Sequence, residues 1–141
     1  MLTLLITLFC FQLSAPPYER LAIIKAEAIN PYEAIWQATC KVESDNNPFA
    51  IGDKHLKDYS YGIVQVRKAR LKDYYNKTGV KYSEMDMFDP VKSKELFMYY
   101  ASRYNPSQIR EISSEWNGGT NWKKKKSTMK YYKKILRQLN N

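Results

Sequence analysis

At 141 residues the chain is long enough for one domain with a real core and too short for two. Its 23 Lys and Arg against 14 Asp and Glu give a formal net charge of +9. A surface this basic favours a polyanion, whether nucleic acid, anionic lipid or cell wall, and two cysteines, Cys10 and Cys40, exclude a disulfide framework.

Residues 1–15 are strongly apolar and carry no charged side chain. The run is short of the roughly 20 residues of a membrane span but fits the apolar region of a secretory signal, with Ala15 at the cleavage position. An uncleaved anchor or a buried first helix is the alternative, because no Lys or Arg precedes the run. Phe9 stands before Cys10 where a lipidation site wants a small residue. Pro16-Pro17 breaks the chain, and residues 16–141 form the expected domain. Tyr18 to Ala28 reads as a helix with Leu21, Ile24 and Ala28 on one side.

Asn30-Pro31-Tyr32-Glu33 predicts a helix start, with Asn30 as cap, proline at the first position and Glu33 completing a capping box. Along that helix Ile35, Ala38 and Val42 form the core stripe, while Trp36, Cys40 and Glu43 share an adjoining line. Cys40 reads as a small core residue. Glu43 emerges at the edge of the buried face. Desolvation disfavours the charged form of a carboxyl there, raises its pKa and suits it to donate a proton at neutral pH.

The polar loop 51–61 holds Asp53, His55 and Asp58, with a small hairpin as one expectation. His55 is the only histidine, no Cys/His/carboxylate cluster points to a metal, and no cofactor is expected. Ser60-Tyr61-Gly62-Ile63-Val64-Gln65 ends in a side chain that both donates and accepts, near a glycine that lets backbone come close. A helix is expected over Gln65–Lys77 with Gly79 as its C-cap. Asp89-Pro90 opens the next, Val91–Tyr104, with Leu96, Phe97 and Tyr100 in the core. A further helix over Ser107–Trp116 leads into Asn117-Gly118-Gly119. Lys123–Lys126 reads as a solvated face or a contact for wall polyanions or nucleic acid. The last helix, Ser127–Leu139, turns Tyr132, Ile135, Leu136 and Leu139 inward.

Glu43-Ser44, then Asn47-Pro48-Phe49-Ala50, then Ser60-x-Gly62-x-x-Gln65 resembles the signature of the soluble lytic transglycosylases, relatives of goose-type lysozyme. The resemblance covers about Asn30 to Leu139. The family's Gly-Leu-Met-Gln is here Gly62-Ile63-Val64-Gln65, and the loop between Ala50 and Ser60 is longer. Glu115-Trp116-Asn117-Gly118-Gly119 looks like the family's Ala-Tyr-Asn-Ala-Gly, with Trp116 in place of the tyrosine. Tyr131 matches a tyrosine that lies near the family's cleft.

The resemblance implies a mainly α, lysozyme-like fold with a groove for a peptidoglycan strand. It implies cleavage of the β-1,4 bond between N-acetylmuramic acid and N-acetylglucosamine, Glu43 acting as acid and then base and a 1,6-anhydromuramyl end as product. Ser44 and Gln65 are expected to position acid and substrate, and Trp116, Asn117 and Tyr131 to line the groove. An exported, periplasmic or secreted monomer is expected, touching a membrane only if residues 1–15 remain. Anionic wall polymers are further partners, and nucleic acid is not expected. Two other readings stay open. One is a hydrolytic lysozyme in which Asp53 or Asp58 helps water attack; the other is a non-catalytic basic module for wall or nucleic acid.

Overall fold

The computed structural model describes residues 29–141, so the expectations for residues 1–15 and for the helix Tyr18–Ala28 lie outside the described residues. The fold is mainly α: α1 (Glu33–Ser44), α2 (Lys68–Thr78), α3 (Pro90–Ala101), α4 (Ile109–Gly118) and α5 (Lys126–Leu139). Short 3-10 turns at Met85–Phe88 and Trp122–Lys124 join them. A small antiparallel sheet, β1 (Ile51–Gly52), β2 (Ser60–Tyr61) and β3 (Val66–Arg67), lies between α1 and α2 in the chain, in the order β1-β2-β3. Among the described residues no helix is long and apolar enough to cross a membrane.

The helix boundaries follow local chemistry where the deciding partners are close in sequence. Asp89 caps α3, its carboxylate accepting from the Val91 N–H at 2.8 Å, and Pro90 takes the first turn. Gly79 ends α2 in the left-handed region at φ 75°, its N–H reaching the Tyr75 carbonyl.

Two local readings are corrected. The capping box at Asn30 does not form: Glu33 instead accepts from the Lys94 ammonium at 2.7 Å and from Gln37 at 3.3 Å, while Asn30 Oδ1 takes the Tyr32 N–H. A charge partner 61 residues away outcompetes a backbone N–H next door. The helix expected to begin at Gln65 begins at Lys68, because Val66 pairs with Tyr61 in the sheet and its side chain is buried.

The core is one cluster built from all five helices and β3. Ile35, Val66, Leu71, Leu96, Phe97, Ile112 and Ile135 are buried together. Phe97 stands between Trp36, at a ring separation of 5.4 Å, and Trp116, at 5.0 Å. Edge-to-face packing of this kind adds to the area buried. Cys40 is buried in this core as a free thiol, and burial pushes it up to about 12. Helix α5 packs mainly on α4 and α1. Its inward line is Thr128, Tyr131 and Ile135, with Tyr132, Leu136 and Leu139 only partly buried. The expected inward line is therefore rotated by about one residue, and Tyr131 rather than Tyr132 faces in.

Candidate active site

Helix α1 delivers Glu43 in its last turn, where the negative end of the helix dipole disfavours a second negative charge. The chain then leaves through Asp45 and Asn46, both left-handed at φ 57° and 64°. Ser44 fixes this exit: its hydroxyl donates to the Ile63 carbonyl at 2.7 Å and back to the Cys40 carbonyl at 3.3 Å. The serine beside the acid is thus a staple between α1 and the Ser60–Gln65 segment.

The Glu43 side chain is partly buried and borders a cleft of about 680 Å³. Its Oε1 accepts from the Tyr131 hydroxyl at 2.7 Å, and its other oxygen has no hydrogen-bond partner among the described residues. Burial pushes this carboxyl up to about 7. The Tyr131 bond pulls the other way, the nearby Asp53 charge adds to the rise, and Lys134 and Arg67 lower it. Burial, and then the Glu43 charge, raise Tyr131 well above an ordinary phenol. The pair therefore holds one proton on the phenol and a second that is shared with solvent near neutrality.

Opposite Ser44, the Ser60–Gln65 segment closes on itself. The Ser60 hydroxyl donates to Gln65 Oε1 at 2.7 Å, while Gln65 Nε2 donates to the carbonyls of Gly62 at 2.8 Å and Ala50 at 3.2 Å. Gln65 itself sits in the left-handed region at φ 54°. Gly62 is at φ 77°, and a Cβ there would lie 1.8 Å from the Met87 carbonyl oxygen, so no other residue fits. A Cβ at Gly52 would likewise meet Gln65 Oε1 at 2.1 Å. The spacing of Ser60, Gly62 and Gln65 is what this clamp requires. Gln65 borders the cleft, but its amide is committed to the protein.

The far wall comes from α2 and the end of α4. Trp116 borders the cleft with its ring almost wholly buried, and its N–H donates to the Val64 carbonyl at 3.3 Å. The Arg70 guanidinium lies 4.6 Å from the Trp116 ring and 4.5 Å from that of Tyr100. Its Nη2 donates to the carbonyls of Glu115 at 3.1 Å and Trp116 at 2.8 Å. A cation here completes the end of α4, where the Glu115 carbonyl already accepts from the Gly119 N–H at 2.8 Å. Arg70 is not among the residues expected at the site from the sequence. Its signal is the run Arg67, Arg70, Asp73 at helical spacing, which brings three charged groups to the cleft.

Asn117 is exposed at the cleft wall, and its side chain has no hydrogen-bond partner among the described residues. Glu115, beside it, is buried with Oε1 paired to Arg103 at 2.8 Å and Oε2 without a partner among the described residues. Its ion pair makes it a structural acid.

Of the two loop aspartates, Asp53 borders the cleft and Asp58 does not. Burial alone would raise Asp53, but two bonds from the Arg67 guanidinium, at 2.7 and 3.2 Å, hold it below the usual carboxylate range. Asp53 is thus held low while Glu43 is raised, the divergence of two carboxyls in unlike surroundings. His55 is exposed, and no group of His, Cys, Asp and Glu among the described residues could hold a metal ion.

The cleft brings Glu43, Gln65, Trp116 and Asn117 to one place, whereas Tyr131, expected to line it, is buried behind Glu43 and does not border it, and Ser44 does not border it either. Its chemistry is one carboxyl that exchanges its proton near neutrality, at the border of a cleft lined largely by polar side chains. No family model matches the chain, and neither does any curated protein.

Proposed function

We propose that this chain is a peptidoglycan lytic transglycosylase of lysozyme-like fold, cleaving the β-1,4 bond between N-acetylmuramic acid and N-acetylglucosamine. One observation carries the reading: the Glu43 carboxyl, pushed to about 7 by burial, opens on a cleft of about 680 Å³. Protonated Glu43 donates to the departing glycosidic oxygen, which avoids expelling an alkoxide and is worth about 100- to 10,000-fold in rate. The substrate's own N-acetyl oxygen stabilises the charge on the ring, so no second enzymic carboxylate is needed. The Glu43 carboxylate then takes the proton of the muramyl 6-hydroxyl as that oxygen closes on the anomeric carbon. A 1,6-anhydro end forms with no net addition of water.

Tyr131 holds the acid in place through its 2.7 Å bond and Ser44 fixes the helix end that carries it. Asn117, with its unpartnered amide, is the residue suited to an N-acetyl group. Trp116 and Gln65 act by shaping the cleft, since the indole is buried and the amide is engaged. A second reading, hydrolysis, draws support from Asp53, a carboxylate held low in the same cleft, as the group that would activate water.

Digestion of purified sacculi by wild type and Glu43→Gln, with the muropeptides weighed, tests both. Anhydro ends from the wild type and a loss of turnover of about 100-fold or more in the variant are expected. Products heavier by one water favour the hydrolase, and unchanged turnover in the variant removes Glu43 from the chemistry.

A further inference from the structure

The net charge is not spread over the molecule. Up to Glu115 the chain carries 15 Lys and Arg against 14 Asp and Glu; beyond it come seven Lys and one Arg and no acid at all. All seven ion pairs among the described residues join groups between Glu33 and Glu115. The later cations have no carboxylate partner among the described residues.

On α5 these charges are ordered. Lys126, Lys130, Lys133, Lys134 and Arg137 follow one another at i, i+4, i+7, i+8 and i+11, which places them in a single stripe about 16 Å long. All five are exposed, and the opposite face, with Thr128, Tyr131 and Ile135, is buried. Like charges at this spacing repel and destabilise a helix, so the stripe is an unfavourable arrangement that a bound polyanion would relieve. The stripe starts beside the cleft, since Lys125 borders it and donates to the Gly118 carbonyl at 2.8 Å.

We infer that the outer face of α5 is a docking track for a linear phosphodiester polymer of the cell wall, held alongside the glycan strand in the cleft. This rests on the function proposed above. The cations are nearly all lysines, which hold phosphate as point charges and demand no fixed bidentate geometry of a flexible polymer. A lipid surface would ask for several apolar side chains flanking the charges, and on α5 only Met129 is an exposed apolar side chain, the inward line being spent on the core. No fully exposed aromatic stands in the stripe for a base to stack on.

The purified full chain is sedimented over a salt series with sacculi that retain their polyol-phosphate polymer. The same sacculi stripped by hydrofluoric acid are the comparison, and isolated poly(glycerol phosphate) is the competitor. Stripping is expected to weaken retention by about a hundredfold at low salt. The variant K126Q/K130Q/K133Q/R137Q is expected to lose as much and to flatten the slope of log affinity against log salt by about 3. Lys134 is left in place because its charge acts on Glu43.

Equal retention on stripped sacculi, full retention by the variant, or tighter binding to duplex DNA or anionic vesicles than to the polymer overturns the inference. Turnover of stripped sacculi by the wild type reports the proposed enzyme separately. Digestion without polymer-dependent binding sinks the track alone, and polymer-dependent binding without digestion sinks the enzyme alone.

Discussion

The two walls of the cleft commit their polar side chains to different extents. On the Ser60–Gln65 side every polar atom of the signature is already bonded to the protein, Gln65 alone making three bonds. On the α4 side Asn117 presents an amide with no partner among the described residues. The first wall is built throughout, and the second is built except at Asn117, since Trp116, Arg70 and Glu115 are also bonded to the protein. A motif recognised by its polar residues can therefore be a record of folding constraints.

Breaking the built wall should cost the most. Gly62→Ala is expected to destabilise by more than about 3 kcal/mol, since it combines a forbidden φ with a backbone clash. Urea unfolding checks this, and a midpoint within error of wild type would contradict it. Gln65→Ala strands the Ser60 hydroxyl and removes one of two donors from each of the Gly62 and Ala50 carbonyls, and should cost about 2 kcal/mol.

Glu43, between the walls, tests burial against charge. Its folded value of about 7 lies above its ordinary 4.5, so the native state binds the proton more tightly and loses stability as pH rises from about 4.5 through 7. Glu43→Gln removes that loss. The variant should match wild type near pH 4 and exceed it by about 2 kcal/mol at pH 8 in thermal unfolding, a figure discounted for partial exposure. A gap that shrinks with rising pH would refute the sign.

Tyr131→Phe removes the bond that lowers Glu43. The alkaline limb of the pH–rate profile should then move upward by less than about one unit; movement downward would show that the tyrosine does not stabilise the carboxylate. The smallest effect belongs to the α4 side. Asn117→Ala should change stability by under about 0.5 kcal/mol while raising the apparent KM for sacculi. An unfolding shift as large as that of Gln65→Ala would erase the distinction between the two walls.

Much of the fold was legible in the sequence because its deciding interactions are local. Asp89-Pro90 and Gly79 end or begin helices by contacts within four residues. The line Trp36, Cys40, Glu43 follows from helical spacing alone, and it placed the acid at the edge of the core. What escaped the sequence was long-range. Val66 is a strand residue only because Tyr61 pairs with it, and Glu33 leaves its capping role for Lys94 on another helix. Arg70 acquires its place from two aromatic rings and two carbonyls that only the packed helices bring together. Trp116 reads as a groove-lining aromatic until Phe97 and Arg70 cover it.

The bond between Tyr131 and Glu43 spans 88 positions of the chain. It exists only once α5 has docked on α1, so a polypeptide still emerging from the ribosome holds the carboxyl without the phenol that aligns it. Under the proposed chemistry, competence arrives as one of the final acts of folding, and a wall-cutting activity stays silent in unfinished or partly unravelled molecules.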